Sequence, residues 1–126
     1  MVVGISALLI VSAAALIDRD GRVLMTTRPE GKEYEGLWEF PGGKADPGES
    51  PESALVRELC EELGISTEES CLAPFSFGTL PDRNILLLLY VCRKWSGTPQ
   101  GLEGQMLKWV RPNELLDLDM PPIDRP

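Results

Sequence analysis

Residues 38–65 read WEFPGGKADPGESPESALVRELCEELGI, and this stretch decides the fold. Its second half has the signals of a helix that starts after Ser50 and stops at Gly64. Ser50 can cap the free amides, Pro51 suits the first helical position, and Gly64 suits the left-handed residue after the end. Three leucines recur at every fourth residue and give the helix a buried stripe: Leu55, Leu59 and Leu63. The stretch therefore predicts a loop rich in glycine and proline, followed by one amphipathic helix.

The predicted helix also carries Glu58, Glu61 and Glu62, whose spacing of i, i+3 and i+4 places three carboxylates on one face. At about 6 Å and an effective dielectric constant near 20, each pair would repel by about 3 kcal/mol. Arg57 precedes Glu61 by four residues and offsets part of this charge. A hard divalent cation would offset the rest, and all-oxygen ligation suits magnesium or manganese rather than zinc. The alternative is a solvated acidic face, which is common on surface helices.

The remaining pattern predicts strands and one further helical turn. The strands are expected at about Ile5–Ile17, Val23–Thr27, Trp38–Phe40, Leu72–Gly78, Ile85–Cys92 and Met106–Val110, and the turn at Asn113–Leu116. The first two strands are interpreted as a hairpin, Pro41-Gly42-Gly43 as a break after the third, and Ile85–Cys92 as a strand buried on both faces. Many strands with one or two helices indicate an α+β fold or a mixed-sheet sandwich.

The overall composition limits the classes of partner. The chain of 126 residues has 12 basic and 20 acidic residues, so its net charge is −8. This balance disfavours a nucleic acid polymer, but it permits a small phosphorylated ligand if metal ions or a few arginines offset local repulsion. Because the chain has no histidine, acid–base chemistry must fall to carboxylates or lysine. Its size fits one domain, and we assign residues 1–126 to it.

The cysteines and the N-terminal run bear on cellular location. The three cysteines have no metal-ligand spacing, and we interpret them as reduced thiols of a cytoplasmic protein. The uncharged run Val2–Ile17 resembles a leader or a membrane segment in composition, but it lacks a basic flank and is short for a membrane span. The strand interpretation is therefore favoured, without membrane association.

The residues around the helix form a known pattern. Seven fixed positions of the Nudix box are present at the right spacing, and their chance match is of order 10⁻⁸ per start site at about 5–7% background usage. They are Gly43, Glu49, Arg57, Glu58, Glu61, Glu62 and Gly64. The flanking segments resemble the MutT branch of the Nudix hydrolase family: Trp38–Lys44, Pro81–Arg83, Trp95–Gln105 and Pro121–Pro126. The resemblance covers nearly the whole chain.

This resemblance implies an α/β/α sandwich on a mixed β-sheet, in which the box forms a loop–helix–loop. It implies that Mg²⁺, or Mn²⁺, is bound by Glu58, Glu61 and Glu62, with the carbonyl of Gly42 and with Glu103 from a later loop. The catalytic carboxylates would be among Glu58, Glu61 and Glu103, with Glu58 or Glu103 as the general base. Gly43, Glu49 and Arg57 would support the site and orient the helix rather than bind the metal ion.

The resemblance also suggests which residues meet the substrate. Arg28, Lys44 and Arg83 would meet phosphate or base, although surface cations are often merely solvated. Phe40 would pack beside the base, or else belong to the core. Asp124 stands where the best-known MutT proteins have an asparagine that reads the oxidised guanine; an ionised aspartate accepts hydrogen bonds but cannot donate them.

The expected activity is cleavage of a nucleoside triphosphate to a nucleoside monophosphate and pyrophosphate, by a monomer or homodimer. The preferred substrate is an oxidised nucleotide such as 8-oxo-dGTP. The alternatives within the family are a (deoxy)cytidine triphosphate hydrolase and an ADP-ribose-type hydrolase. A non-catalytic Nudix-fold binding module is disfavoured, because such a module is expected to lack one or more of the metal-binding glutamates.

Overall fold

The computed structural model describes residues 8–28, 30–31, 34–80 and 83–118. Its elements in chain order are β1 (Leu9–Leu16), β2 (Val23–Thr27), β3 (Trp38–Glu39), β4 (Gly42–Lys44), α1 (Pro51–Leu63), β5 (Leu72–Leu80), β6 (Ile85–Cys92) and β7 (Leu107–Val110). Two short 3₁₀ helices, Glu69–Cys71 and Pro112–Asp117, complete the described part.

The strands form two sheets. One sheet has the order β4-β1-β6-β5, in which β1 and β6 are parallel and the other pairs are antiparallel. The second sheet is antiparallel, with the order β3-β2-β7. The first sheet is therefore mixed, and the predicted α+β class is confirmed. The central strand β6 packs against a separate apolar cluster on each face, as its uniformly apolar sequence indicates.

The predicted hairpin of β1 and β2 is wrong. The chain does turn between them, at Asp18, whose carboxylate accepts the backbone N–H groups of Asp20 and Arg22 at 3.0 and 2.8 Å. However, the two strands belong to different sheets and share a single bridge, Ile17 with Val23. The reason is that β4 and β6 occupy both edges of β1, so β1 has no edge left for β2.

The predicted break at Pro41-Gly42-Gly43 is correct in only one respect. β3 does end before Pro41, but Gly42 and Gly43 start β4 directly, in the other sheet, where Gly43 pairs with Ser12 of β1. A Cβ atom on Gly42 would overlap the carbonyl oxygen of Ser12. Glycine is required there because the two backbones approach so closely, and the chain can thus cross between sheets within two residues.

Helix α1 matches its sequence prediction. The Ser50 hydroxyl accepts the N–H of Ser53 at 3.0 Å, and Gly64 has φ 71° with its N–H donated to the carbonyl of Cys60 at 3.0 Å. The stripe of Leu55, Leu59 and Leu63 is fully buried. Each of these side chains contributes about 1.5–3 kcal/mol through its burial, so the leucine stripe fixes the opposite face of the helix toward β4 and the loops.

Of the two helical layers expected in an α/β/α sandwich, the described residues contain one. Within them α1 is the single α-helix, and it packs on β1 and β4. A further anchor is Tyr90 of β6, whose hydroxyl donates to the Glu52 carboxylate at 2.8 Å beneath the first turn of α1. No helix in the described residues has the length and apolar content needed to cross a membrane.

Candidate active site

The glutamate face of α1 opens onto a cavity of about 700 Å³. Ten residues predicted from the sequence line it: Arg28, Phe40, Gly42, Gly43, Lys44, Glu58, Glu61, Glu62, Arg83 and Glu103. Its apolar wall comes from β1 and from the β5–β6 region, including Val11, Leu80 and Leu87. The fold thus gathers segments that are up to 94 residues apart in sequence, from Leu9 to Glu103. Asp124 lies outside the described residues.

Arg57 organises the acidic face. Its Nε and Nη2 donate to the two carboxylate oxygens of Glu49, at 2.8 and 2.9 Å. Its Nη1 donates to Glu58 at 2.6 Å and to Glu61 at 3.1 Å. Its Nη2 also reaches the carbonyl of Lys44 in β4, at 3.2 Å. Arg57 therefore ties the preceding loop, the helix and β4 together, and its bonds hold the pKa of Glu49 down at about 2.

We expect Arg57→Lys to lower the melting temperature by several °C, because lysine cannot reproduce the two-pronged contact with Glu49. The stabilisation by Glu49 exists above its ordinary pKa of 4.5 and is lost as pH falls toward about 2. The gap between wild type and variant should therefore shrink over that range in thermal melts at stepped pH. Arg22→Lys is the control, since the Arg22 side chain makes one contact with Asp18, at 2.9 Å, outside the cavity and without the two-pronged geometry. Equal losses in the two variants would contradict a special role for Arg57.

Glu62 is the most buried of the three helix glutamates. Its Oε2 atom is buried and has no hydrogen-bond partner within the described residues. Burial, together with the carboxylates of Glu58, Glu103 and Glu39, raises the pKa of Glu62 well above its ordinary value. A desolvated carboxylate among like charges calls for a cation.

Gly43 sets the depth of Glu58 in the cavity. A Cβ atom at Gly43 would overlap the carboxylate of Glu58. The side chain of Glu58 therefore lies directly on the backbone of β4, with only 19% of its surface exposed. The adjacent Gly42, also in β4, lines the same cavity. This contact explains why a glycine is found at this position of the motif.

The NUDIX domain family matches residues 8–126 of this sequence. The chain is a member of the Nudix family. It is 42% identical over 113 residues to the CTP pyrophosphohydrolase of Escherichia coli K12, in an alignment that covers 90% of this chain and 84% of the relative. It is 35% identical over 116 residues to the 8-oxo-dGTP diphosphatase of the same strain, covering 92% and 90%. These similarities confirm the predicted family and its hydrolase class.

A solved structure supports the same placement. MutT, from work on the proteins of Aliivibrio salmonicida and Vibrio cholerae, superposes with a TM-score of 0.76 at 35% identity. The alignment covers 90% of this chain and 87% of that one. The MutT-like Nudix fold predicted from the motif is therefore confirmed. Nudix enzymes act on nucleoside diphosphate-linked compounds and generally use a divalent metal ion.

The Nudix site has the kind of oxygen donors that such an ion needs, but their side chains are spread apart. No three acidic or cysteine side chains among the described residues lie close enough together to hold an ion. Arg57 Nη1 contacts both Glu58 and Glu61, at 2.6 and 3.1 Å. The Oε2 atom of Glu62 is buried and has no hydrogen-bond partner among the described residues, and a divalent cation that prefers oxygen ligands would provide one. The donor set therefore fits a hard cation in kind.

The residues expected on the substrate side differ in their surroundings. Arg28 donates through Nη1 to Glu39 at 3.0 Å, so its charge is partly engaged within the protein. Phe40 lines the cavity and also packs against the core around Val23 and Met25, and its contact with a base stays a prediction. Lys44 and Arg83 line the cavity with exposed side chains.

Several lining residues were not predicted, and Glu39 and Tyr34 are among them. Glu39 adds a carboxylate that is only 18% exposed and that helps to raise the pKa of Glu62. Tyr34 adds a half-buried aromatic ring from the loop between β2 and β3. Glu39 lies in the segment WEFPGGK, so the sequence places it close to the box. However, no neighbouring residue in the sequence indicates that its side chain points into the cavity. Tyr34 lies in a polar loop without periodicity, so only the loop conformation reveals it.

Proposed function

We propose that this chain is a Mg²⁺-dependent nucleoside triphosphate pyrophosphohydrolase that releases a nucleoside monophosphate and pyrophosphate. The observation that carries the proposal is the lining of the cavity, which has an acidic and a basic part. One part is acidic and includes the desolvated carboxylate of Glu62, while the walls carry the cations Arg28, Lys44 and Arg83. The volume of about 700 Å³ suits a nucleotide-sized ligand. A polyphosphate bridged by a divalent cation would match both parts.

In this proposal the metal ion is held by Glu58, Glu61, Glu62, Glu103 and the carbonyl of Gly42. When bound, it neutralises phosphate oxygens and lowers the pKa of bound water. Arg57 and Glu49 keep the helix carboxylates in place through their hydrogen bonds. A carboxylate must accept the proton of the attacking water, and Glu58 or Glu103 is the proposed base. Glu103 is exposed in the loop after Gly101, and this loop is bound to the end of α1 by the hydrogen bond from the Leu102 N–H to the Glu62 carbonyl at 3.1 Å.

For the substrate we propose 8-oxo-dGTP, with cytidine triphosphate as the second candidate. The first follows the family branch and the relatives named 8-oxo-dGTP diphosphatase. The second is favoured by the 42% identity to a CTP pyrophosphohydrolase and by an aspartate at position 124. An ADP-ribose-type substrate has no such support.

The acidic net charge of −8 supports small nucleotides over nucleic acid polymers as partners. The three unpaired cysteines support a cytoplasmic location.

The test is a panel of nucleotides incubated with the protein and Mg²⁺. We expect pyrophosphate and nucleoside monophosphate as the products, measured by ion-exchange chromatography, and complete loss of turnover in EDTA with recovery on addition of Mg²⁺ or Mn²⁺. The kcat/KM for one nucleotide of the panel should exceed the kcat/KM for the others by at least about tenfold, because discrimination by a base contact is worth at least about 1–2 kcal/mol. Release of orthophosphate, or equal rates on every compound, would contradict the proposal.

A further inference from the structure

Tyr34 lines the cavity from a backbone conformation that is rare for an aromatic residue. Its φ is 62°, in the left-handed region that glycine normally occupies. The loop around it is closed by three backbone bonds: Arg28 N–H to Leu37 O at 2.8 Å, Leu37 N–H to Tyr34 O at 3.0 Å, and Gly36 N–H to Arg28 O at 3.3 Å. These bonds join the end of β2 to the start of β3 and hold Tyr34 at the turn. Non-glycine residues in this region cluster at ligand clamps.

The ring of Tyr34 faces a cation from another part of the chain. The guanidinium carbon of Arg83, just before β6, lies 5.9 Å from the ring centroid. Arg83 and Tyr34 both line the cavity, so their contact connects the β2–β3 loop with the segment between β5 and β6. A distance of 5.9 Å lies at the outer limit of a cation–π contact, and Arg83 is exposed. Such a contact is weak and easily exchanged for another one.

We propose that Tyr34 is a base-binding residue of this site, whose ring stacks on the nucleobase of the substrate while Arg83 exchanges the ring for the ligand. This inference rests on the proposed function and deepens it. Stacked aromatic groups have centroids about 4.5–7 Å apart, so the guanidinium now occupies the space that a stacked base would take. A neutral base suits the ring, whereas the released guanidinium suits an anionic or carbonyl oxygen. The exchange leaves neither partner without a contact.

The other residues that line the cavity with Tyr34 support this role. The carboxylates of Glu58, Glu61 and Glu62 are the lining groups suited to a cation and its phosphates. Tyr34 comes from a separate loop, and the apolar side chains of Leu80 and Ile85 line the same cavity. An aromatic ring in a cavity with apolar lining provides stacking area without selecting a hydrogen-bond pattern. A purine offers more stacking area than a pyrimidine, so Tyr34 should favour purines.

The test measures equilibrium binding of products, which needs no turnover. Calorimetry with Mg²⁺ would compare 8-oxo-dGMP, CMP and pyrophosphate on wild type, Tyr34→Ala and Tyr34→Phe. We expect Tyr34→Ala to weaken 8-oxo-dGMP binding about tenfold or more, the scale of one base stacked on an aromatic side chain. CMP should weaken less, and pyrophosphate, which has no base, should be unchanged. The affinities of Tyr34→Phe for these ligands should stay within about twofold of the wild-type values, because phenylalanine keeps the ring.

Phe77→Ala is the matched control, since Phe77 is 71% exposed on β5 and does not line the cavity. It should leave all three affinities unchanged. The inference is wrong if wild type binds neither nucleotide, if Tyr34→Ala binds like wild type, or if pyrophosphate weakens as much as 8-oxo-dGMP. Thermal melts separate a binding loss from unfolding of the variant. Wild type that binds nucleotides but cleaves none would contradict the proposed function and leave the role of Tyr34 intact.

Discussion

Glu62→Gln is expected to lower kcat by about 10²–10³-fold and, at the same time, to raise the melting temperature of the metal-free protein. The loss of activity follows from the proposed role of Glu62 as a ligand of the ion, because such an ion supplies several kcal/mol of transition-state stabilisation. The gain of stability follows because Glu62 is buried beside Glu58, Glu103 and Glu39. An amide keeps the shape but carries no charge, and relief of about 1 kcal/mol would raise the melting temperature by about 3–5 °C.

The pH dependence of this gain has a definite sign. Glu62 has a folded-state pKa above its ordinary value of 4.5, so the folded state holds a proton that the unfolded state releases. Metal-free wild type therefore loses stability as pH rises from about 4.5 through the raised pKa. Glu62→Gln should remove that loss. The difference in melting temperature should be large at about pH 8 and small near pH 4.5, as measured by calorimetry in EDTA.

The control for Glu62→Gln is Glu69→Gln, in the exposed 3₁₀ helix Glu69–Cys71, which does not line the cavity. It should change neither kcat nor the melting temperature by much, because surface charges contribute little. Addition of Mg²⁺ provides the third arm. Wild type should gain thermal stability from the ion, whereas Glu62→Gln should gain little. A variant that keeps both its activity and its response to Mg²⁺ would show that Glu62 is not a metal ligand.

Helix α1 and its acidic face were predictable because their determinants are local. A cap at Ser50, a left-handed residue at Gly64 and a leucine every fourth position all lie within one stretch of sequence. The same locality made the motif recognisable, since its positions are counted along a single loop and helix. The strand Ile85–Cys92 was predicted to the residue for a similar reason: an unbroken apolar run is bounded by charged and turn residues on both sides.

The pairing of strands depends on residues far away and was not predictable in the same way. The turn after β1 has the composition of a hairpin, but β4 and β6 compete for the edges of β1 and exclude β2. Likewise, the glycines at 42 and 43 read locally as a break, although a neighbouring backbone makes them a strand. Tyr34 and Glu39 line the cavity because of the geometry of the loop and the sheet, which no periodic pattern in the sequence predicts.

Gly43→Ala is expected to lower kcat by about 10–100-fold while leaving the fold intact. The added methyl group would overlap the carboxylate of Glu58, which is the end of a flexible side chain and can move aside. The displaced carboxylate would leave its 2.6 Å contact with Arg57, and a misplacement of about 1 Å in a catalytic site can cost about 10²-fold. Gly48→Ala serves as the control, because a Cβ atom there meets no neighbour within 4 Å. It should cost some stability through its positive φ but leave kcat near wild type.

A double-mutant cycle separates displacement of Glu58 from general damage by Gly43→Ala. In a Glu58→Gln background the carboxylate that Gly43→Ala would displace is already gone, so adding Gly43→Ala should cost at most about twofold more. Mn²⁺ binding, measured by electron paramagnetic resonance, should weaken in each single variant and hardly further in the double one. If the two losses multiply instead, Gly43 acts independently of Glu58. The glycine would then serve the backbone of β4, and the close approach between strand and carboxylate would not be what sets the geometry of the site.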